Sequence, residues 1–268
     1  MAERLRGSTM RLAFDRHGCR VVQRALEVLP ATLQSQLAVE LKGHILECAE
    51  HMHGNFVLQK CIERLPSNSL DFIAEELQDH AERLAMHRYG CRTVQKLLEH
   101  ATPRQQGAVV AQLLCNVEKL VRNTHGHNVV RQMLHHGEAW VIRQVIRAIA
   151  SSSVLDLANN KSSSLVLETC LHVAANGKHA AELESERALL VAAFTGREGK
   201  GAGAGLHRTA LHEFGNYVVQ RLLDCARGPE LQALRRALVK WQPQLEDSDR
   251  GRRVLAIVKR QGRQEGGG

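Results

Sequence analysis

The turn His17-Gly18 and the run behind it, Cys19-Arg20-Val21-Val22-Gln23-Arg24-Ala25-Leu26, recur in altered form five more times along the chain. The later copies begin at His53-Gly54-Asn55-Phe56, Tyr89-Gly90-Cys91-Arg92, His125-Gly126-His127-Asn128, Ser162-Ser163-Ser164-Leu165 and Phe214-Gly215-Asn216-Tyr217. Counted at the glycine or its equivalent, the steps are 36, 36, 36, 37 and 52 residues. A fixed period of this size marks a solenoid, whose units bury their apolar faces only against their neighbours. The sequence therefore predicts one repeat domain without a single globular core.

Each copy reads as the start of a helix. At about 100° per residue, Val21, Val22, Ala25 and Leu26 share one apolar arc, the predicted core. Cys19, Arg20 and Gln23 share another, at positions i, i+1 and i+4 if i is the residue after the glycine. That second arc carries Cys19/Arg20/Gln23, Asn55/Phe56/Gln59, Cys91/Arg92/Gln95, His127/Asn128/Arg131, Ser164/Leu165/Glu168 and Asn216/Tyr217/Gln220. Amide or acid stands at i+4 in five of these six copies. A face that merely met water would not keep that chemistry in register, so something periodic is touched there. Phe56 and Tyr217 share one phase outside the apolar arc, which argues against core roles for them.

Around each variable helix the period holds a short helix (residues 43–50 in the second unit) and a third helix (69–77), with Pro66 and Pro103 as punctuation. Thr9 to Phe14 supplies the first short helix. No β-branched alternation suggests a strand, and the fold class is all-α. The step of 52 residues exceeds the period by about fifteen, and the glycines between Thr195 and Gly205 predict a flexible loop there. These glycines form no phosphate-binding motif, since no GxxxxGK[ST] and no preceding strand accompany them. Residues 252–259 repeat the pattern in degraded form, as a terminal capping half-repeat would, and 261–268 are expected to be a disordered tail.

The charge is +8, from 36 Lys+Arg against 28 Asp+Glu. That favours an anionic partner without naming it. Seven cysteines without a CxxC pair point to reduced thiols and an intracellular protein. No apolar run approaches a membrane span, and Met1 opens no signal peptide. No nucleophile, acid/base pair or metal-ligand constellation stands outside the repeat pattern, so neither an enzyme nor a cofactor is expected. His17, His53, His87 and His125 recur just before the helices and read as turn and cap residues. Arg24, Lys60, Lys96 and Arg221, all at i+5, are open to reaching phosphates or to sitting in water.

The motifs Gly-Cys-Arg-Val-Val-Gln, Gly-Asn-Phe-Val-Leu-Gln, Gly-Cys-Arg-Thr-Val-Gln and Gly-Asn-Tyr-Val-Val-Gln, at a 36-residue period of three helices, resemble the Pumilio homology domain. The resemblance runs from about Leu5 to Lys259. It implies a right-handed, curved α-solenoid with a concave RNA-binding face, and six repeats spanning about 1–42, 43–78, 79–114, 115–150, 151–203 and 204–240, followed by a cap at 241–260. That family normally has eight repeats. These six resemble its third to eighth, as in a fragment or in a lineage that has lost two.

The resemblance implies one base per repeat, read by two or three side chains. Ser164 and Glu168 imply guanine, because an ionised carboxylate only accepts and guanine presents two adjacent donors. Asn55/Gln59 and Asn216/Gln220 imply uracil, and Cys19/Gln23 and Cys91/Gln95 adenine, with Arg20, Phe56, Arg92 and Tyr217 stacking between bases. At His127/Asn128/Arg131 the pattern departs from the family. Sliding by one residue would bury Arg131 and His135, so Arg131 stands at the base edge, and five donors without an acceptor favour uracil or guanine over adenine. With the family's antiparallel polarity the core is 5′-UGNAUA-3′. The partners implied are single-stranded RNA of messenger 3′ untranslated regions, together with deadenylase or translation-repression proteins, for a monomer in the cytoplasm. Two alternatives are a ribosome-biogenesis relative, which would be nucleolar, and a protein-binding scaffold of the HEAT or armadillo type.

Overall fold

A computed structural model describes residues 5–195 and 202–265. Every regular element among these residues is helical. By its contacts the chain divides into two compact units, Met1–Gly137 and Glu138–Gly268. In an array only neighbouring repeats touch, so compactness belongs to short runs of repeats.

The first unit repeats a short helix, a variable helix and a third helix. The short helices are Thr9–Phe14, Ile45–Glu50, Ala81–Met86 and Val117–Arg122. Each leads into a variable helix: Gly18–Val28, Gly54–Arg64, Gly90–His100 and Gly126–His136. Ala31–Val39, Asp71–Gln78 and Pro103–Cys115 follow the first three of these. A capping box starts the last, with Thr102 Oγ1 accepting from the Gln105 N–H and Gln105 Oε1 accepting from the Thr102 N–H. The variable helices pack in a row, each on the next.

Val22, Ala25 and Leu26 are closed to solvent, as the apolar arc requires, and so are Val129, Val130, Met133 and Leu134 in the fourth repeat. Val21 departs from expectation: it is 43% exposed, whereas its equivalents Val57, Thr93 and Val129 are buried. That edge of a variable helix lies against the variable helix before it, and Gly18–Val28 is the first of the row.

In the second unit Ala139–Ala150 is followed by Val154–Ala158, the long variable helix Lys161–Asn176, a short 3-10 turn Ala180–Leu183 and Glu184–Thr195. Ala202–Leu211, Gly215–Cys225, Gly228–Val239, Gln242–Glu246 and Asp249–Glu265 complete it. Lys161–Asn176 packs on Gly215–Cys225, which packs on Asp249–Glu265. Two expectations need correction here. Of the glycine-rich loop, residues 196–201 lie outside the described residues, but 202–205 begin the helix Ala202–Leu211. A Cβ on Gly205 would stand 2.4 Å from Leu155 Cδ1, so that glycine permits close helix packing. Of the expected tail, 261–265 belong to the last helix and only 266–268 lie outside the described residues. Val254, Leu255 and Val258 bury that helix, and Gln261 Nε2 donates to the Leu223 carbonyl at 3.0 Å.

The long connection is held by a buried cation. Arg187, 2% exposed, donates to Glu184 at 2.8 Å, to Glu230 at 2.7 Å and to the Cys225 carbonyl at 3.1 Å. A charge so enclosed is tolerable because it is paired and its donors are used.

One contact recurs at every turn between short and variable helix. A Cβ on the repeat glycine would meet the carbonyl oxygen six residues earlier: Leu12 from Gly18 at 2.8 Å, Cys48 from Gly54 at 3.1 Å, Leu84 from Gly90 at 3.1 Å, Leu120 from Gly126 at 2.8 Å, and Thr209 from Gly215 at 2.6 Å. Gly251 repeats the arrangement against Leu245. In the fifth repeat Ser163 takes this place, and its hydroxyl donates to the corresponding carbonyl, Leu157, at 2.7 Å. Gly215→Ala should lower stability by about 1 to 3 kcal/mol from overpacking, against a helix-propensity gain of about 1 kcal/mol. Urea denaturation checks this, and a midpoint unchanged or raised would show that the close approach is not a constraint.

Candidate nucleic-acid interface

The structure separates the three positions that the helical arc grouped together. The i residues are buried: Cys19, Asn55, Cys91, His127, Ser164 and Asn216 are all at most 9% exposed. The i+1 residues stand out: Phe56 is 52% and Tyr217 50% exposed, Leu165, Arg20 and Arg92 are exposed, and Asn128 is half-buried. At i+4, Gln95 is buried while Gln23, Gln59, Arg131, Glu168 and Gln220 are half-buried. The i side chain was expected on the surface. It is buried because it turns back onto the preceding turn.

Asn55 Nδ2 donates to the carbonyls of His51 at 2.7 Å and Met52 at 3.1 Å, and Asn216 Nδ2 to those of His212 at 2.9 Å and Glu213 at 3.0 Å. This fixes each amide, so the Asn oxygen must accept. Gln59 Nε2 donates to Asn55 Oδ1 at 2.9 Å and Gln220 Nε2 to Asn216 Oδ1 at 3.0 Å. Where cysteine stands at i, the glutamine donates to backbone instead, Gln23 to Cys19 O at 3.0 Å and Gln95 to Cys91 O at 2.9 Å. Each glutamine thus spends one N–H internally and keeps one N–H and its oxygen, a donor beside an acceptor. Glu168 supplies acceptors only, next to Ser164, whose hydroxyl donates to Lys161 O at 3.3 Å.

The fourth repeat keeps the register that buries Val129 and Val130. His127 Nδ1 lies 3.1 Å from the Asn123 carbonyl. A carbonyl only accepts, so Nδ1 carries the proton and Nε2 of the neutral ring bears a lone pair. Burial pushes the His127 pKa down, the backbone hydrogen bond opposes that, and the charges of Arg131 and His125 add to it. An acceptor therefore accompanies the donors of Arg131, which the donor count alone had overlooked.

The start of each variable helix is capped from three residues before the glycine. Asp15 Oδ1 accepts from the N–H of Gly18 at 2.6 Å, His51 Nδ1 from Gly54 at 3.2 Å, His87 Nδ1 from Gly90 at 3.1 Å and Asn123 Oδ1 from Gly126 at 3.0 Å. Asn160 Oδ1 accepts from Ser163 at 3.2 Å, and His212 Nδ1 from the Phe214 N–H at 3.2 Å. Of the histidines expected as turn and cap residues, His87 caps, whereas His17, His53 and His125 sit in the turn without a side-chain cap bond. The signal was legible, an Asp, Asn or His three before the glycine in every copy.

The i+5 cations of the first unit are paired with acids of the protein. Arg24 pairs with Glu27 at 3.1 Å, Lys60 with Glu27 at 3.2 Å and Glu63 at 2.9 Å, and Lys96 with Glu63 at 3.1 Å and Glu99 at 3.0 Å. The result is a ladder of alternating charge across three repeats, built from i+5 and i+8. In the second unit the i+8 acid, Asp224, meets Arg260 at 3.7 Å. Among the described residues no group of three or more His, Cys, Asp or Glu could hold a metal, and no helix is long and apolar enough to cross a membrane.

The family model for the Pumilio-family RNA binding repeat matches residues 9–42, 44–78, 80–114, 116–150, 153–183 and 208–238. The chain belongs to the Pumilio family. Its helical-repeat fold is shared by solved Pumilio-type domains. PUF-8 in complex with PBE-RNA superposes with a TM-score of 0.84 at 25% identity, over 97% of this chain and 73% of that one. The Puf3 RNA binding domain bound to a Cox17 RNA 3′ UTR recognition sequence gives 0.82 at 23% identity, over 96% and 75%. The Puf4 RNA binding domain bound to the HO endonuclease RNA 3′ UTR recognition sequence gives 0.80 at 20%, over 96% and 78%. No curated protein matches by sequence.

At the centre of the ladder in this Pumilio-family chain is Glu63. Partial burial works to raise its pKa, but the hydrogen bonds and charges of Lys60 and Lys96 outweigh it and hold it below the ordinary 4.5. A depressed carboxylate stabilises the fold above its unfolded pKa and ceases to as pH falls through the folded value. Glu63→Gln should cost about 1 kcal/mol at neutral pH, with the gap closing as denaturation is repeated below pH 4.5. A gap that persists in acid would assign the loss to something other than the charge.

Proposed function

We propose that this protein binds single-stranded RNA in a sequence-specific way, one base per repeat. It would act on 3′ untranslated regions of messenger RNA in the cytoplasm, as a regulator of message stability or translation. The observation that carries the reading is the exposed i+1 side chain beside a hydrogen-bonded i and i+4 pair, repeated in both units within repeats that the family model matches. A planar group flanked by a fixed donor and acceptor is what stacking on a base and reading its edge require. The RNA-bound Pumilio-type domains that share the fold support the same reading.

The base assignments follow from the kinds of donor and acceptor that i and i+4 carry. Gln59 and Gln220, held by Asn55 and Asn216, face uracil; Gln23 and Gln95, anchored on the backbone beside cysteine, face adenine; Glu168 with Ser164 faces guanine. At the fourth repeat the donors of Arg131 beside the Nε2 lone pair of His127 suit uracil or guanine, which offer ring N–H and carbonyl oxygen together. Adenine, whose amino N–H can give to that lone pair while its N1 accepts from Arg131, is not barred, so this base is the least constrained of the six. The protein reads 5′-UGNAUA-3′, with relaxed choice at the third base.

Selection from a random RNA pool followed by sequencing tests this. The expected result is enrichment of 5′-UGNAUA-3′ with a weaker preference at the third position than at the other five, and an unrelated motif or no enrichment would sink the proposal. Glu168→Gln should weaken binding to that RNA about tenfold or more, since a charged hydrogen bond worth roughly 1.5 to 3 kcal/mol is replaced by a donor facing a donor. Uracil at the second position should then be better tolerated. Competition binding in which the variant keeps its full guanine preference would refute the role given to Glu168.

A further inference from the structure

The ion-pair ladder leaves a question open: which side chains hold the phosphodiester backbone of the RNA, if the cations at i+5 are already matched by acids of the protein? The first unit has two other cations in register, Arg16 and Arg88, each three residues before i. Among the described residues neither forms an ion pair, and neither do Arg20 and Arg92, four residues further on. Arg16 lines a groove with His17, Cys19, Arg20 and Gln23 of its own repeat and with Met52, His53 and Phe56 of the next. That groove contains the reading residues of the first repeat and the stacking ring of the second. Arg88 has the equivalent place in the third repeat, and its guanidinium lies 4.6 Å from the centroid of the Tyr89 ring. This cation–π contact limits its freedom while leaving its N–H donors available. The acid nearest to Arg16 in sequence, Asp15, uses Oδ1 on the N–H groups of His17 at 2.9 Å and Gly18 at 2.6 Å, and its pKa is lowered by those bonds.

We infer that Arg16 and Arg88 are phosphate-binding residues of the RNA site, and that Lys60 and Lys96, though basic and close by, are not. The inference rests on the RNA-binding reading. The two unesterified oxygens of a phosphodiester each take one of two parallel N–H donors from one guanidinium, whereas Lys60 and Lys96 would have to exchange two carboxylates each for one phosphate. The ladder is thus structural, and Arg16 and Arg88 supply the salt-sensitive part of binding.

The test is the salt dependence of affinity for a labelled RNA containing 5′-UGNAUA-3′, with the full chain. Each phosphate contact on a single strand contributes about 0.7 to the slope of log K against log salt. Arg88→Gln should flatten the slope by about 0.7, and Arg16→Gln with Arg88→Gln by about 1.4. Lys60→Gln with Lys96→Gln, which removes the same charge, should leave the slope unchanged. Binding by the wild type with a slope that Arg16→Gln and Arg88→Gln do not alter, or that the lysine substitutions flatten instead, overturns this inference alone. Absence of RNA binding by the wild type overturns the RNA reading and this inference with it.

Discussion

The approach of the repeat glycine to a carbonyl six residues earlier is the contact on which the face carrying i, i+1 and i+4 depends. With no Cβ at Gly18, Gly54, Gly90, Gly126 or Gly215, the first turn of each variable helix lies against the end of the short helix before it. That places i in the crevice between the two, where Asn55 and Asn216 can reach carbonyls of the intervening turn. The next residue, one step around the helix, is turned out of the crevice and left exposed. The exposure of Phe56 and Tyr217 is therefore a consequence of the packing at the glycine. Ser163 achieves the same approach through a hydrogen bond to Leu157.

Many of the polar groups around this face are spent on the protein itself. Asn, Asp and His three before the glycine satisfy the first N–H groups of the variable helices, which would otherwise be orphaned. The histidine caps accept through Nδ1 and are unprotonated there; burial first, and then the charge of His53, lowers the pKa of His51. Acids at i+8 absorb the lysines at i+5 in the first unit. Net charge alone would have counted Lys60 and Lys96 toward an anionic ligand, yet both are already matched.

The variation among repeats has a physical basis in what i offers to i+4. An asparagine fixed by two carbonyls presents its oxygen to glutamine, so Gln59 and Gln220 are held by a side chain. A cysteine offers no such acceptor, and Gln23 and Gln95 drop to the backbone carbonyl. The same residue at i+4 is thus held in two different placements. His127 takes a third course, donating through Nδ1 and retaining a lone pair beside Arg131.

Much of the fold was legible in the chain itself, because a 36-residue period and an apolar arc at 3.6 spacing need no long-range information. The short helix Thr9–Phe14 and the variable helices follow from that period, and the register of the fourth repeat from where an unpaired charge can and cannot be buried. What a helical wheel does not contain is the neighbour. Val21 looks like Val57 in sequence, and only the row of helices shows that one edge is exposed and the other covered. Residues 202–205 and 261–265 look like linker and tail by composition, yet both belong to helices, with Gly205 set close to Leu155 in the first case and Gln261 bonded to Leu223 in the second. Cys19 and Asn55 sit on the touchable arc by angle but are buried by the turn in front of them. The sequence determined which residue types recur at i, i+1 and i+4. Tertiary structure decided which of them is buried and which exposed, and which cations are already paired, because burial and pairing are properties of what packs alongside, which no single repeat encodes.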